Sequence, residues 1–96
     1  MKFYPLKVKE IRKETKDCVS VSLEVPSDCK DVFAFTQGQY LTFKTNIDGK
    51  EIRRSYSICT SPSENDLRVA VKQVENGAFS TFANHILQVG DSLEVM

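Results

Sequence analysis

The sequence has no cysteine pair at CxxC spacing, only one histidine, and no excess of charge of either sign. Cys18, Cys29 and Cys59 are an odd number, without the spacing of a zinc or iron–sulfur ligand set or of a secreted disulfide framework. They read as small buried hydrophobes in a reducing cytosol. Thirteen basic residues against thirteen acidic ones exclude the broad positive field of a non-specific nucleic-acid binder. A local patch for one small anion is compatible with that neutrality. No apolar run approaches the ~18 residues of a membrane span, and the basic N-terminus lacks the apolar centre of a signal peptide. The expectation is a cytoplasmic protein with neither nucleic acid nor membrane as partner.

Catalytic signatures are missing too. There is no GxSxG elbow and no EF-hand loop, and the acidic residues are scattered singly. His85 falls on the polar side of the one expected helix, as a solvated residue. Hydrolytic, acid–base and metal chemistry therefore find no support. No repeat, low-complexity tract or linker interrupts the 96 residues, which make one domain able to bury somewhat over ~60% of its unfolded surface.

What is present is mostly a period of two. "CVSVSLEVP" (18–26) sets Val19, Val21, Leu23 and Val25 on one face with polar residues between, and Pro26 stops the strand. "QYLTFKTNI" (39–47) alternates through Leu41, Phe43, Thr45 and Ile47, and Asp48-Gly49 is a type I′ hairpin signal. So 39–47 and 50–60 should pair as a hairpin, with "RRSYSICT" (53–60) on its return strand. "DLRVAVKQV" (66–74) gives a further strand, and 3–14 a first one with Pro5 at an edge. In "FSTFANHIL", Phe79, Phe82, Ala83, Ile86 and Leu87 fall on one helical face, with Gly90 placed as its C-terminal cap. "DSLEVM" starts one more strand. The pattern is an all-β fold: a small antiparallel barrel whose open end one short helix plugs.

Two stretches carry chemistry. In "RRSYSICT" (53–60), the planar fork of Arg54 suits paired phosphate oxygens, and Tyr56, two residues on, shares its strand face. An exposed strand with a charged, hydroxyl-rich face is the plainer reading of the same residues. By alternation Arg53 points away as a surface charge, and Ser57 lies opposite Tyr56. "NGAFS" (76–80) reads as an ordinary Asn-Gly turn, yet it opens directly into the helix. There unpaired N–H groups and the positive end of the helix dipole attract anions, Gly77 admits close approach, and Ser80 adds a hydroxyl.

In this order, "RRSYSICTSP", "LRVAVKQV" and "NGAFSTF", with "FTQGQYL" at 35–41, resemble the flavin-binding domain of the ferredoxin–NADP reductase superfamily. The likeness covers essentially the whole chain. "RRSYSIC" and "VAVKQV…GAFS" are similar to the reductase of phenylacetyl-CoA epoxidase (phenylacetate-degradation) systems. The resemblance implies a six-stranded antiparallel Greek-key β-barrel, capped by one short α-helix and binding FAD. On this chain the R-x-Y-S motif is Arg54, Ser55, Tyr56 and Ser57. Arg54 would pair with the pyrophosphate, Tyr56 would lie against the ring or ribityl chain, and Ser57 would bond near the reactive ring nitrogen. Val71 and Lys72 would border the flavin through backbone. Gly77, Phe79 and Ser80 would offer the pyrophosphate helix-start amides and one hydroxyl. Tyr56 and Ser57 reach one flavin only if the strand twists or ends there.

The resemblance also implies an oxidoreductase in which NAD(P)H gives a hydride to FAD and electrons pass to a 2Fe–2S cluster and an oxygenase component. Residues 1–96 are then expected to be the N-terminal domain of a longer reductase, without the NAD-binding and cluster domains. Reductases of other ferredoxins, flavodoxins, ring-hydroxylating oxygenases or flavohaemoproteins are the alternatives within the superfamily. A barrel used for protein interaction, with vestigial flavin motifs, is the alternative outside it.

Overall fold

A computed structural model describes residues 2–35, 39–75 and 77–96. The alternating segments form six strands: β1 (Tyr4–Thr15), β2 (Cys18–Glu24), β3 (Tyr40–Ile47), β4 (Lys50–Ser57), β5 (Leu67–Lys72) and β6 (Ser92–Val95). One helix, α1 (Ala78–His85), lies between β5 and β6, and short 3-10 turns occupy Ser27–Cys29 and Pro62–Glu64. The strands make one antiparallel sheet in the order β4-β3-β6-β1-β2-β5, whose non-consecutive neighbours are Greek-key crossovers. Its two edges meet: Ile58, just past β4, bridges Val69 of β5, and the Cys59 N–H donates to the Arg68 carbonyl at 2.9 Å. That closure turns the sheet into a barrel.

The hairpin follows its turn chemistry. Asp48 and Gly49 both have positive φ (52° and 79°), as a type I′ turn requires, and Ile47 pairs with Lys50. The return strand is β4, as expected, pairing with β3 from Tyr40–Ser57 to Ile47–Lys50. The far side of β3 pairs with β6, and β1 lies one strand further on. Four-residue β6 arrives from the far end of the chain, and its Leu93 and Val95 are fully buried, so it takes the central place.

The core is the inward set of every strand except β4: Leu6 and Val8, Val19, Val21 and Leu23, Leu41 and Phe43, Leu67, Val69 and Val71, Leu93 and Val95. Phe79 and Ala83 of α1 enter it from one end, and Phe33 enters from the loop after β2, edge-on to Tyr4 at 5.6 Å. The helix is shorter than its apolar periodicity. It ends at His85, so Ile86 is exposed while Leu87 is buried. Gly90 does not cap it. With φ 95° it turns the chain into β6, and its N–H donates to the Val8 carbonyl. Nor are the cysteines buried: Cys18 and Cys29 are half-buried and Cys59 is exposed, all three as free thiols.

One outer face holds a surprise for a simple alternation. Ser20 and Ser22, expected to be solvated, are 1% and 0% exposed. They lie under Arg68, itself buried, which donates to Asp66 (2.9 Å), Ser20 (2.8 Å) and Glu10. Ser20 in turn donates to Glu14 at 2.6 Å, and Ser22 donates to Asp66. Glu10 reaches this cluster because β1 breaks register between Val8 and Glu10. Without that bulge at Lys9, the alternation that turns Leu6 and Val8 inward would send Glu10 into the core.

The hydrogen bond from Arg68, with the charge of Arg12, holds the Glu10 carboxyl below its usual range. Burial pushes Asp66 up, but hydrogen bonds from Ser22 and Arg68 outweigh it and leave Asp66 low as well. A carboxylate with a lowered folded-state pKa stabilises the fold above its unfolded pKa of about 4 and loses that contribution as pH falls through the folded value. Stability is therefore expected to drop in acid below about pH 4. Arg68→Met should cost about 2 kcal/mol at pH 7, less than a fully buried pair because both carboxylates reach solvent. Urea unfolding at pH 7 and pH 3 measures both effects. The mutant should be the less acid-sensitive protein, and an equal fall in the two would remove the cluster from the account.

Candidate functional site

β4 is the exception in the barrel wall. Its partner β3 buries Leu41 and Phe43, yet no residue of β4 is fully buried, and only Ile52 and Tyr56 are half-buried. Ile52, Arg54 and Tyr56 share the face opposite Arg53, Ser55 and Ser57, because Arg54 pairs with Phe43 and Tyr56 with Leu41. This part of the wall is open to a ligand.

Arg53 behaves as the surface charge its alternation predicts. Its Nε donates to Glu51 at 3.1 Å, and its guanidinium lies over the Phe3 ring. Arg54 is different. It is exposed, it has no carboxylate partner among the described residues, and its Nη1 donates to the Arg53 carbonyl at 2.6 Å. Ser55 exchanges a hydrogen bond with Thr42 on the outer face at 2.8 Å. Ser57 is exposed and is the last residue of β4, so the strand ends where Tyr56 and Ser57 would need it to if both are to face one ligand.

Tyr56 ties this strand to the helix. Its ring lies 5.5 Å from that of Phe79 and 6.2 Å from that of Phe43, and Phe79 lies 5.7 Å from Phe43. Burial pushes the Tyr56 phenol up, and the charge of Arg54 offsets part of the rise. Tyr56 thus keeps its proton at neutral pH and presents a half-buried aromatic face with a hydroxyl donor. Through Phe79, the first turn of α1 is brought against the Arg54–Tyr56 strand, the juxtaposition read from the two motifs.

The helix start has an unusual arrangement. Gly77 is the N-cap and offers no side-chain hydrogen bond, so no N-cap side chain covers the amides of Ala78, Phe79 and Ser80 among the described residues. The φ of Gly77 is −81°, which any residue adopts; its reason to be glycine is space. A Cβ there would come within 2.6 Å of Ser80 Oγ and 3.0 Å of the Val74 carbonyl. Ser80 is buried. Its hydroxyl accepts from the Val74 N–H at 3.0 Å and donates to the Gly77 carbonyl at 3.2 Å. That hydroxyl faces the turn rather than the ligand side. An anion at the helix start would then meet Ser80 through its amide. Asn76 and the Thr36–Gly38 part of "FTQGQYL" lie outside the described residues.

Val71 is buried beneath α1 and its carbonyl accepts from Asn84, while Lys72 is exposed and pairs with Cys18. His85 is on the surface, as expected, within hydrogen-bonding distance of Gln73 (2.9 Å). A recess of about 420 Å³ bounded by Lys9, Val25, Phe33 and Phe35 shares no residue with this site. No cluster of potential metal ligands occurs among the described residues. Sequence reasoning passed over Asn84 and Arg68. Asn84 lies outside the motifs and Arg68 holds a place in "LRVAVKQV" that was given no role, and both became visible only through the partners the fold assigns them.

A family model described as "Oxidoreductase FAD-binding domain" matches residues 5–96. The chain is 42% identical over 94 residues to one component of the 1,2-phenylacetyl-CoA epoxidase of Escherichia coli (strain K12), covering 98% of this chain and 26% of that protein. It is 39% identical over 98 residues to a flavohemoprotein of Candida albicans, covering 97% and 24% respectively. The chain thus spans about a quarter of the length of these curated relatives. Among solved structures, the flavohem-like FAD/NAD-binding domain of a Vibrio cholerae nitric oxide dioxygenase superposes with a TM-score of 0.81 at 24% identity, over 99% of this chain and 43% of that one. A Neisseria gonorrhoeae ferredoxin NADP+ reductase with bound FAD and NADP gives 0.80 at 19% identity, over 99% and 37%. These two likenesses establish the barrel fold.

The close approach of residues 77 and 80 makes a thermodynamic prediction. Gly77→Ala should destabilise the chain by about 1–3 kcal/mol through overpacking. Ser80→Ala should cost about 1 kcal/mol through the lost partner of the Val74 N–H. The double variant should lose less than the sum, because removing the hydroxyl vacates part of the space the new methyl needs. Urea melts of the four proteins decide it, and strict additivity would show that the two groups do not compete.

Proposed function

The chain belongs to the oxidoreductase FAD-binding domain family, and from that premise we propose that Arg54, Tyr56 and the first turn of α1 hold FAD for an NAD(P)H-dependent electron-transfer enzyme. The observation that carries this assignment is one contact: the start of α1, where the N-cap Gly77 gives no side-chain hydrogen bond, is packed through Phe79 against Tyr56, on the strand face of an arginine that has no carboxylate partner among the described residues. The residues present fit the group. A dinucleotide needs an anion site and an aromatic platform at fixed separation, and the helix-start amides with Arg54 supply the first while the Tyr56 face supplies the second.

In this reading the Arg54 fork and the amides of Ala78, Phe79 and Ser80 bind the pyrophosphate from two sides. Gly77 leaves room for it, and Ser80 holds the turn. Tyr56 lies along the ring or ribityl chain, and Ser55 and Ser57 flank it. The backbone of Val71 and Lys72 borders the ring. FAD, once bound, supplies the hydride and single-electron chemistry, and the protein contributes position and electrostatics.

We further propose that the domain serves a reductase of the phenylacetyl-CoA epoxidase type, taking electrons from NAD(P)H bound outside these 96 residues and passing them to a 2Fe–2S cluster and an oxygenase component. Support comes from the 42% identity to a component of such an epoxidase. A flavohaemoprotein-type parent is the second reading, favoured by the 39% identity to such a protein. A cytosolic setting accords with three free thiols, and among the described residues no helix is long and apolar enough to cross a membrane.

Titrating FAD with the purified chain should change flavin fluorescence saturably. Arg54→Ala should weaken FAD binding about 10- to 100-fold, the worth of one or two charge-assisted hydrogen bonds. Equal FAD affinity in the two proteins would take Arg54 out of the site. NADH added to the FAD-loaded chain should reduce it only slowly, and fast, saturable reduction would overturn a nicotinamide site outside these residues.

A further inference from the structure

We propose that Asn84 is a positioning residue for the flavin site: its carboxamide ties the Val71 carbonyl on β5 to the Ser80 carbonyl on the first turn of α1, and so sets how the two halves of the site stand to each other. This rests on the reading above and assigns a residue that the reading leaves without a role.

Asn84 lies one turn after Ser80, facing the barrel end. Its Nδ2 donates to the Val71 carbonyl at 3.1 Å and to the Ser80 carbonyl at 2.8 Å, so both amide hydrogens are committed. The orientation follows from chemistry, since the flipped amide would set an oxygen against two carbonyl oxygens. That orientation leaves Oδ1 buried without a hydrogen-bond partner, the one such side-chain atom found among the described residues. Asparagine is also a poor helix former at an interior position. A residue chosen for helix stability or packing alone would be apolar here. What asparagine provides instead is one directed bond from helix to strand, with a second bond back to the first turn of its own helix that fixes the carboxamide.

Those bonds continue into the turn. Ser80 Oγ holds the Val74 N–H and the Gly77 carbonyl, so Val71, Asn84, Ser80, Val74 and Gly77 form one connected lock across the β5–α1 link. Phe79 and Ala83 anchor the helix by apolar burial, which is non-directional and tolerates sliding or rotation of the helix on the barrel end. A hydrogen bond weakens steeply off-axis and resists that motion. The proposed pyrophosphate site is at the start of α1 and the proposed ring edge is at Val71–Lys72. FAD must meet both at once, so its affinity depends on their separation in a way that neither half alone does.

The test uses the 96-residue chain with FAD as the probe. Asn84→Leu keeps the volume and removes both donors together with the orphan oxygen. At saturating FAD this variant should remain folded by far-UV circular dichroism, bind FAD tenfold or more weakly, and show a diminished visible circular dichroism band from the bound ring. An unchanged FAD affinity in folded Asn84→Leu overturns the proposal. So does weaker binding with an unaltered visible band, which marks a purely structural role. If Asn84→Leu does not fold, the wild-type chain decides by NMR. The Asn84 side-chain amide resonances should shift on FAD saturation, and unmoved resonances overturn the proposal. If the wild-type chain itself leaves FAD unbound, the site assignment of the previous subsection falls and takes this proposal with it, an outcome distinct from loss at Asn84 alone.

Discussion

Phe79 is the constraint on which the rest of this domain depends. Its ring is buried and touches Phe43 inside the barrel, Tyr56 on the open strand and Phe82 on its own helix. Burial of a phenyl ring is worth about 1.5–3 kcal/mol, enough to seat a helix of only eight residues that would not hold its shape alone. The same contact has a geometric consequence. Since the ring is on the first turn, seating it fixes the helix amides relative to the Tyr56 face. Plugging the barrel and assembling the site are one event.

The barrel wall is divided between two tasks. Along β1, β2 and β5 the outer face is closed by Arg68, which is buried and gathers Glu10, Asp66 and Ser20, with a hydrogen bond from each of its three nitrogens. Along β4 the corresponding arginine, Arg54, meets no acid among the described residues, and the strand buries none of its residues fully. Two arginines in one small barrel thus show the two uses of the guanidinium fork. Where carboxylates surround it, it holds strands together; where they are absent, it is available to an incoming anion. The β4–β5 seam at Ile58–Val69 and Cys59–Arg68 joins these two regions. Cys59, exposed and with its Sγ near the Arg68 carbonyl, sits on that seam, and burial around the sulfur holds its thiol pKa up, so it is not primed as a nucleophile.

Strand existence and the inward set were legible because they follow a period of two, and Asp48-Gly49 announced its own turn. What alternation could not reveal was order in space. The central place of β6 depends on contacts between residues such as Phe43 and Val95, far apart in the chain. Alternation also misread Ser20 and Ser22 as solvated, because it cannot foresee an arginine on a neighbouring strand that covers them. The turn at Ser61–Asn65 was available and passed over: Ser61-x-x-Glu64 is a capping box with proline at its first position, and Asn65 takes the left-handed conformation that ends it. Of the candidate site, the nearness of the Arg54–Tyr56 strand to the helix start was readable from motif and spacing. The inward commitment of the Ser80 hydroxyl was not, since a serine at a helix start reads equally as a cap or as a ligand.

That commitment explains why glycine and serine stand three residues apart. Side chains on a helix lean toward its N-terminus, so the hydroxyl of residue 80 returns over residue 77 and takes the space a Cβ there would need. The hydroxyl then satisfies the Val74 N–H outside the helix instead of the orphan amides within it. A serine or aspartate at position 77 would add a capping oxygen worth only a few tenths of a kcal/mol over glycine, would set its Cβ against Ser80 Oγ, and would put the protein's own oxygen at the proposed anion site. Glycine forgoes that cap. In the proposed site, the amides of Ala78, Phe79 and Ser80 would receive an oxygen of the FAD pyrophosphate. The Gly-x-x-Ser spacing is therefore a single steric device, in which the serine braces the turn and the glycine keeps the helix start vacant.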